Sequence, residues 1–400
     1  MRVLHLGRFY NDQFGGLERH VDQLLRGLSP YCQIDNLVAH DRWAYERVDL
    51  EGYVVHKVPS LGTFAGTAIC PTMPFKARAL HRTYGYDIVH LHFPDPTGHL
   101  VSYWLPREVR LVITWHSDIV RQKRLLTMYR PFLNQIIQRA DAIIAATPRH
   151  FSSSVQLSVS RHPERFHVVP FGLDYGALDM AARREDETRA LRGGASRIVF
   201  AVGRHVYYKG YDYLIRAMAA VPDAVLWMGG AGPLTSELKT LTSDLGLTNR
   251  IRFLGRIPDG DLPLYYHACD VFCLPSIEVA EAFGLVQLEA MACAKPVVCC
   301  ELNNGVSYVN QNGKTGLVVR PRDPDALAAA LNTLLGNTAL RQEMGQYGFE
   351  RAHNDFGVKA MVDGTLGVYE SLMQTSKRTL RPRRMSPRTQ GKGVQGARFE

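Results

Sequence analysis

Short apolar runs alternate with longer stretches of helical periodicity along most of this chain. Runs at 2–6, 35–39, 54–58, 88–92 and 110–114 read as strands, 16–28 and 125–139 as helices, and 142–145 as a strand apolar on both faces. Residues 168–174 read as the last strand of a first half, running into a turn. A charged, irregular piece at 183–192 ends at Gly193-Gly194, and the alternation restarts. Strands are predicted at 198–202, 224–228, 251–254, 271–274 and 297–300, and helices at 211–220, 234–245, 262–268 and 285–292. Helical patterns at 324–335 and 363–372 close the chain. Strands alternating with helices imply parallel sheets covered on both faces. At 400 residues the chain exceeds one ordinary core. The expected fold is therefore α/β, two Rossmann-like domains facing a cleft, with strand carboxyl ends pointing into it. The expected divisions are 1–170, 171–355, a terminal helix at 356–375 crossing back to the first domain, and a disordered basic tail at 376–400.

Composition narrows the class. Hydrophobic residues make up 46% and charged residues 21%, as in ordinary globular proteins, and no run approaches the length that spans a bilayer. The first residues lack the apolar stretch of a signal peptide. Seven scattered cysteines with no C-x-x-C pair are expected to be reduced, buried thiols in a cytoplasmic protein. The net charge of +9 is concentrated in 376–400, where eight Lys or Arg stand against one acid. Such a tail is either merely solvated or suited to anionic lipid headgroups, at about 1 kcal/mol per cation near the surface. Nucleic acid is not an expected partner, because no aromatic residue interleaves the charges before Phe399.

The chemistry concentrates in the second half. Glu281 and Glu289 stand eight positions apart with Gly284 between them, where an amphipathic pattern begins. One acid is then just before a helix and the other inside it, and the helix start offers free amides to a diphosphate. Such an arrangement can hold a nucleotide-sugar. Earlier, Val202-Gly-Arg-His-Val-Tyr-Tyr-Lys-Gly210 follows a predicted strand and sets Arg204 and Lys209 at its end, two cations able to meet phosphate oxygens. Asp259-Gly-Asp261 and Asp323-Pro-Asp325 imitate a metal-binding D-x-D, but each precedes a helical pattern and reads as capping. Metal-independent chemistry with no cofactor is expected, the Arg204/Lys209 pair neutralising charge in place of a metal.

These motifs, with the 168–174 segment VVPFGLD and the Gly15-Gly16 turn, resemble the retaining glycosyltransferases of family 4, which have the two-domain GT-B fold. Thr114-Trp-His-Ser-Asp118, His90-Leu-His-Phe-Pro-Asp95 and Gly305-Val-Ser-Tyr-Val-Asn310 narrow the similarity to bacterial polysaccharide mannosyltransferases that use GDP-mannose. The resemblance implies that Arg204 and Lys209 neutralise the departing diphosphate. It implies that Gly284, Leu285 and Val286 donate backbone amides to the donor with Phe283 among the donor-binding residues, that Glu281 binds the sugar and that Glu289 binds the ribose. It implies that Gly15 and Gly16 approach the diphosphate, Ile257 beside Arg256 meets the base, and His116 lies under the transferred sugar from the opposite domain. Glu278 is a competitor for the role of Glu281. The Gly229-Gly-Ala-Gly232 loop is read as a second phosphate-side turn, and His90 and His92 as structural residues on opposite faces of a strand. The acceptor, a glycan or polyprenyl-diphosphate-linked sugar, is expected on the first domain. There 61–75 reads as a mobile loop, and Arg121, Lys123, Arg124 and Arg130 form a basic face suited to the inner membrane surface. Another donor (UDP-glucose, dTDP-rhamnose or GDP-fucose) and a non-enzymatic nucleotide-sugar binder are the alternatives.

Overall fold

The computed structural model describes residues 1–9, 16–64, 67–119 and 122–379. In the first half, apolar runs become β1 (Arg2–Phe9), β2 (Gln33–His40), β3 (Glu46–Leu50) and β4 (Tyr53–Pro59). A separate short pair, β5 (Thr63–Phe64) and β6 (Thr67–Ala68), follows. Then come β7 (Ile88–Phe93), β8 (Arg110–Trp115), β9 (Ala142–Ala145) and β10 (Phe166–Val168). The sheet order is β10-β9-β8-β7-β1-β2-β4-β3, parallel except for the β3–β4 edge pair. The second half contains β11 (Ile198–Val202), β12 (Val225–Gly229), β13 (Ile251–Gly255), β14 (Val271–Leu274), β15 (Val297–Cys300) and β16 (Gly316–Val319). These form an all-parallel sheet in the order β13-β12-β11-β14-β15-β16. Strand order reverses between β11 and β14, and ligands of doubly wound sheets bind outside the strand ends at such a point.

Each sheet is buried on both faces because its strands alternate between two apolar layers. In β1, Leu4 and Leu6 join the layer under the helices Met73–Tyr84 and Lys123–Arg139, while Val3 joins the layer under the helices Gly16–Leu28 and Val358–Thr379. The last of these runs from the second half back onto the first. Its Met361, Val362, Val368 and Tyr369 pack with Leu24, Leu25, Ile34 and Ile88. A second tie joins the halves where the Leu173 amide donates to the Phe356 carbonyl at 2.9 Å and the Tyr175 hydroxyl donates to the same oxygen at 3.1 Å. All seven cysteines are free and buried.

Three readings are corrected. The 183–192 segment is not irregular: Glu185–Arg192 is a helix with Glu185, Asp186 and Glu187 in its first turn and Arg189 and Arg192 in its last, charges that suit the helix dipole. Much of 61–75 is structured. The Leu61 amide donates to the Ile69 carbonyl, Cys70 and Met73 are buried, and Pro74 sits in the first turn of the helix Met73–Tyr84, where a missing N–H costs nothing. His90 and His92 share one face of β7, since residues two apart on a strand point the same way, and their rings stack at 4.7 Å. Residues 10–15, 65–66, 120–121 and 380–400 lie outside the described residues, and with them Gly15, Arg121 and most of the basic tail.

Candidate active site

The second sheet brings its charged residues to the β11/β14 reversal. After β11 the chain passes Arg204 and a 3-10 turn, Tyr207–Lys209, that carries Lys209 inward. After β14 it passes Ser276 and Glu281 before the helix Leu285–Ala292. Lys209 Nζ lies 2.5 Å from Glu281 Oε2, with both side chains about nine-tenths buried, and Ser276 Oγ donates to the same carboxylate oxygen at 3.0 Å. Gly210 permits this approach. It sits at φ 63°, and a Cβ there would stand 2.2 Å from the Pro275 carbonyl oxygen. Arg204 is exposed, and its side chain makes no hydrogen bond or ion pair among the described residues. Glu278 pairs instead with Arg322 at 3.0 Å, which leaves Glu281 as the acid beside Lys209.

Gly284 caps the helix Leu285–Ala292 in the left-handed region, at φ 71°, where a side chain would also strike Leu274. The amides of Gly284, Leu285 and Val286 have no backbone acceptor among the described residues, so this helix start presents free donors beside the ion pair. Two hydrogen bonds hold the segment: Asn304 Nδ2 donates to the Glu281 carbonyl at 2.6 Å and Gln287 Nε2 to the Phe283 carbonyl at 2.7 Å. The Phe283 side chain is core, packed on Phe171 and Phe356. Further along the helix, Glu289 accepts from the buried Tyr266 hydroxyl at 2.6 Å. It lines a small cavity of about 80 Å³ with Asp259, Asp174 and Gln23, the last from the first half. Ile257 is buried near the end of β12, its side chain against the position of Gly229. The 229–232 loop braces the Arg204 loop, accepting from the Gly203 and His205 amides at 3.1 Å each, so its carbonyls face protein. Asp323 caps the helix Pro324–Gly336 through the Ala326 amide, whereas Asp261 occupies a cap position without a side-chain bond.

The first sheet supplies the opposite wall. His116 follows β8 and is buried, its ring 5.0 Å from that of Phe171, which in turn lies 5.0 Å from Phe283. Its Nε2 is 3.2 Å from His92 Nδ1, and the His20 ring packs edge-on at 5.3 Å. Burial pushes His20 down to about 3 and holds His5, His90 and His92 well below the usual histidine range, so these rings are neutral at pH 7. Beside His116 a cavity of about 570 Å³ opens between the halves, lined by Trp115, Asp118, Arg130 and His150 on one side and Ala282 and Asn304 on the other. Asp118 is fixed there by Trp115 Nε1 at 3.0 Å and Ser154 Oγ at 2.5 Å. The reading of the sequence missed Asp118, Ser276, Asn304, His5, His20 and Tyr369. The H-x-H of β7 was the available signal for the buried imidazoles, had its two-residue spacing been taken as one face.

Comparison with known proteins decides the family. The pattern described as "Glycosyltransferase Family 4" matches residues 14–176, and that of "Glycosyl transferases group 1" matches 183–351. An O-antigen chain mannosyltransferase C from Escherichia coli is 31% identical over 386 residues, 94% of this chain and 100% of the relative. This chain is a family 4 glycosyltransferase. The transferase is also 35% identical over 350 residues to a D-rhamnosyltransferase, WbpZ, from Pseudomonas aeruginosa, 86% of this chain and 90% of the relative. Its GT-B fold is shared with the sucrose-phosphate synthase of Thermosynechococcus elongatus, at TM-score 0.74 and 24% identity over 94% of this chain and 99% of that one. It is shared with WaaG, described as a glycosyltransferase involved in lipopolysaccharide biosynthesis, at TM-score 0.67 and 17% identity over 92% and 99%.

Proposed function

We propose that this transferase moves mannose from GDP-mannose, with retention, to a glycan or lipid-linked oligosaccharide in the synthesis of a cell-surface polysaccharide. The observation that carries this reading is the Lys209–Glu281 pair next to the free amides of Gly284 to Val286, a segment whose Phe283 reaches His116 through Phe171. The donor's anomeric C–O bond breaks and its electron pair leaves with the diphosphate. Lys209, Arg204 and the helix amides meet that growing charge, preset in a site with little water. Glu281 holds hydroxyls of the sugar and Glu289 those of the ribose. Ile257 and the backbone beside it meet the base. The acceptor oxygen adds on the face the diphosphate leaves, and its proton passes to the departing phosphate oxygen. No metal is required, so a chelator leaves the rate unchanged. UDP bound in a HepE structure from Anabaena, of similar fold, agrees with a nucleotide-sugar donor.

The acceptor occupies the cavity beside Asp118, whose wall includes Leu126, Thr127, Arg130 and Asn134 of the helix Lys123–Arg139. The outer side of that helix exposes Met128 and Phe132 beside Arg124. Tyr103 connects it through Gln135 to an exposed Phe75–Trp104 pair. No helix among the described residues is long and apolar enough to cross a membrane. An apolar surface edged with cations suits peripheral contact with anionic lipid beside a lipid-linked acceptor.

A panel of GDP-mannose, GDP-fucose, UDP-glucose and dTDP-rhamnose tests the donor by thermal stabilisation and by acceptor-dependent release of nucleoside diphosphate. Stabilisation by GDP-mannose with α-linked product is expected. Selectivity for a uridine donor overturns the reading. A rhamnosyl donor is the second reading, favoured by the 35% identity to a rhamnosyltransferase.

A further inference from the structure

Tyr211 opens the short helix Tyr211–Ala217 that follows the Lys209 turn, and its ring packs in the apolar layer with Ala201 and Met228. The residue is 3% exposed, yet its hydroxyl has no hydrogen-bond partner in the protein among the described residues. A buried hydroxyl left unpaired costs free energy that an apolar side chain of the same shape would not. Its position is not that of an ordinary core hydroxyl. A Cβ on Gly203 would stand 3.0 Å from Tyr211 Oη and 3.4 Å from Lys209 Nζ, so hydroxyl and ammonium converge on the same bare stretch of backbone. Burial, with the charge of Glu281 adding to it, raises the phenol well above its ordinary pKa, which keeps it protonated and neutral.

Lys209 is committed in this structure. Its Nζ lies 2.5 Å from Glu281 Oε2, which also accepts from Ser276 Oγ at 3.0 Å. The proposed reaction needs the pair apart, with Glu281 on sugar hydroxyls and Lys209 on the diphosphate. An ammonium has three N–H donors and no acceptor. As it turns from Glu281, phosphate oxygens meet part of that set, and an N–H left unmet in a buried site is costly. A phenol oxygen accepts a hydrogen bond without bringing charge. It supports the ammonium while leaving the whole of its charge to the phosphate, which a carboxylate does not.

We propose that Tyr211 is a positioning residue for Lys209: its hydroxyl accepts a hydrogen bond from the ammonium once Lys209 leaves Glu281 for the donor diphosphate. The inference rests on the reading of this site as a nucleotide-sugar site, and adds to it the group that receives Lys209. The rival partner for the hydroxyl is a water. His205 lies beside Tyr211, the ring centroids 5.2 Å apart and edge-on. Its Nδ1 is 2.9 Å from Thr235 Oγ1, and its Nε2 is a second buried atom with no partner in the protein. One water held between Nε2 and the hydroxyl would satisfy both with no ligand bound. Stability separates the two cases, because a hydroxyl bonded to such a water supports the unliganded fold and a bare one does not.

Tyr211→Phe in the full chain keeps the ring and removes the oxygen. Thermal unfolding without nucleotide is expected at or above the wild-type temperature. Titration calorimetry with GDP is expected to show an affinity about tenfold weaker, the effect of losing one hydrogen bond to a charged group. The kcat/KM for GDP-mannose should fall by the same factor, while the acceptor KM changes by less than about twofold. In a Lys209→Met background, Tyr211→Phe should change GDP affinity by less than about twofold, because the group it positions is gone. A Tyr211→Phe protein that unfolds well below wild type without nucleotide, a GDP affinity within about twofold of wild type, or the full loss repeated in the Lys209→Met background would each overturn the proposal. The expected pattern obtained with UDP in place of GDP would uphold Tyr211 and remove the guanosine donor reading instead.

Discussion

The two walls of the cleft are built from different chemistry. In the proposed reaction the second half meets the donor with formal charge: Lys209 against Glu281, Arg204 exposed nearby, and the amides of a helix start. In the proposed reaction the first half meets it with His116, backed by His92 and His5, whose rings burial holds uncharged. A leaving diphosphate carries concentrated negative charge and needs the first kind of wall. A sugar is uncharged and needs oriented donors and acceptors, which uncharged hydrogen-bonding side chains provide without attracting the diphosphate to the wrong side. The same contrast predicts that the walls fail differently when altered.

The largest effect is expected from the charged wall. Lys209→Met and Glu281→Gln should each lower kcat by about 10²- to 10³-fold, the range seen when one preset donor to a developing anion is removed. Each also strands a partner that is about nine-tenths buried, so each should cost about 3 kcal/mol or more of stability. The double variant should be more stable than the sum of the singles predicts and no more active than either. Chemical denaturation and single-turnover transfer measured on all three would check this. Near-normal turnover in either single variant would place the charged wall elsewhere.

The neutral wall should show itself in acid. Seven histidines of the first half have depressed pKa values from burial: His5, His20, His90, His92, His99, His150 and His167. In the second half His205 and His267 are depressed, also by burial, the shift opposed by a backbone contact in each. Below the ordinary histidine pKa of 6.5 the unfolded chain binds protons that the folded chain refuses. Stability is therefore complete above pH 6.5 and is lost as the pH falls, down to about 4 for His99 and His150 and about 3 for His20. Each such ring costs up to about 1.4 kcal/mol per pH unit through that window. Hydrogen exchange at pH 7.0 and 5.5 should show protection lost from β1, β7 and β8 before β11 and β14. Equal loss in both sheets would erase the contrast.

The two walls were also unequally legible. The charged wall is assembled from residues close in sequence to strand ends, so Lys209, Glu281, Gly284 and Glu289 could be read from spacing. Their surroundings also follow local rules: a glycine where φ must be positive, apolar runs where strands are buried. The neutral wall is assembled by register. His5 pairs with His90 across β1 and β7, and His92 with Thr114 across β7 and β8, pairings no local pattern announces. Tyr369 reaches them from 279 residues beyond His90, after the whole second sheet has formed. The helix Glu185–Arg192 was obscured by its polarity, since no residue of it is buried and no apolar stripe marks it.

The smallest expected effect separates acids that cap from acids that act. Asp323 accepts the Ala326 amide at 2.9 Å, so Asp323→Ala removes a cap and should cost about 1 kcal/mol of stability. Asp261 stands at a helix start with no side-chain bond to it, so Asp261→Ala should fall within about 0.5 kcal/mol of wild type. Neither variant should change turnover, with or without added divalent metal, if the diphosphate charge is met as proposed by Lys209, Arg204 and amides. Thermal melts beside initial rates decide the matter. A metal-dependent loss of rate in either variant would mean that the charged wall includes a cation the protein does not supply from its own side chains, and the comparison between the walls would have to be redrawn around it.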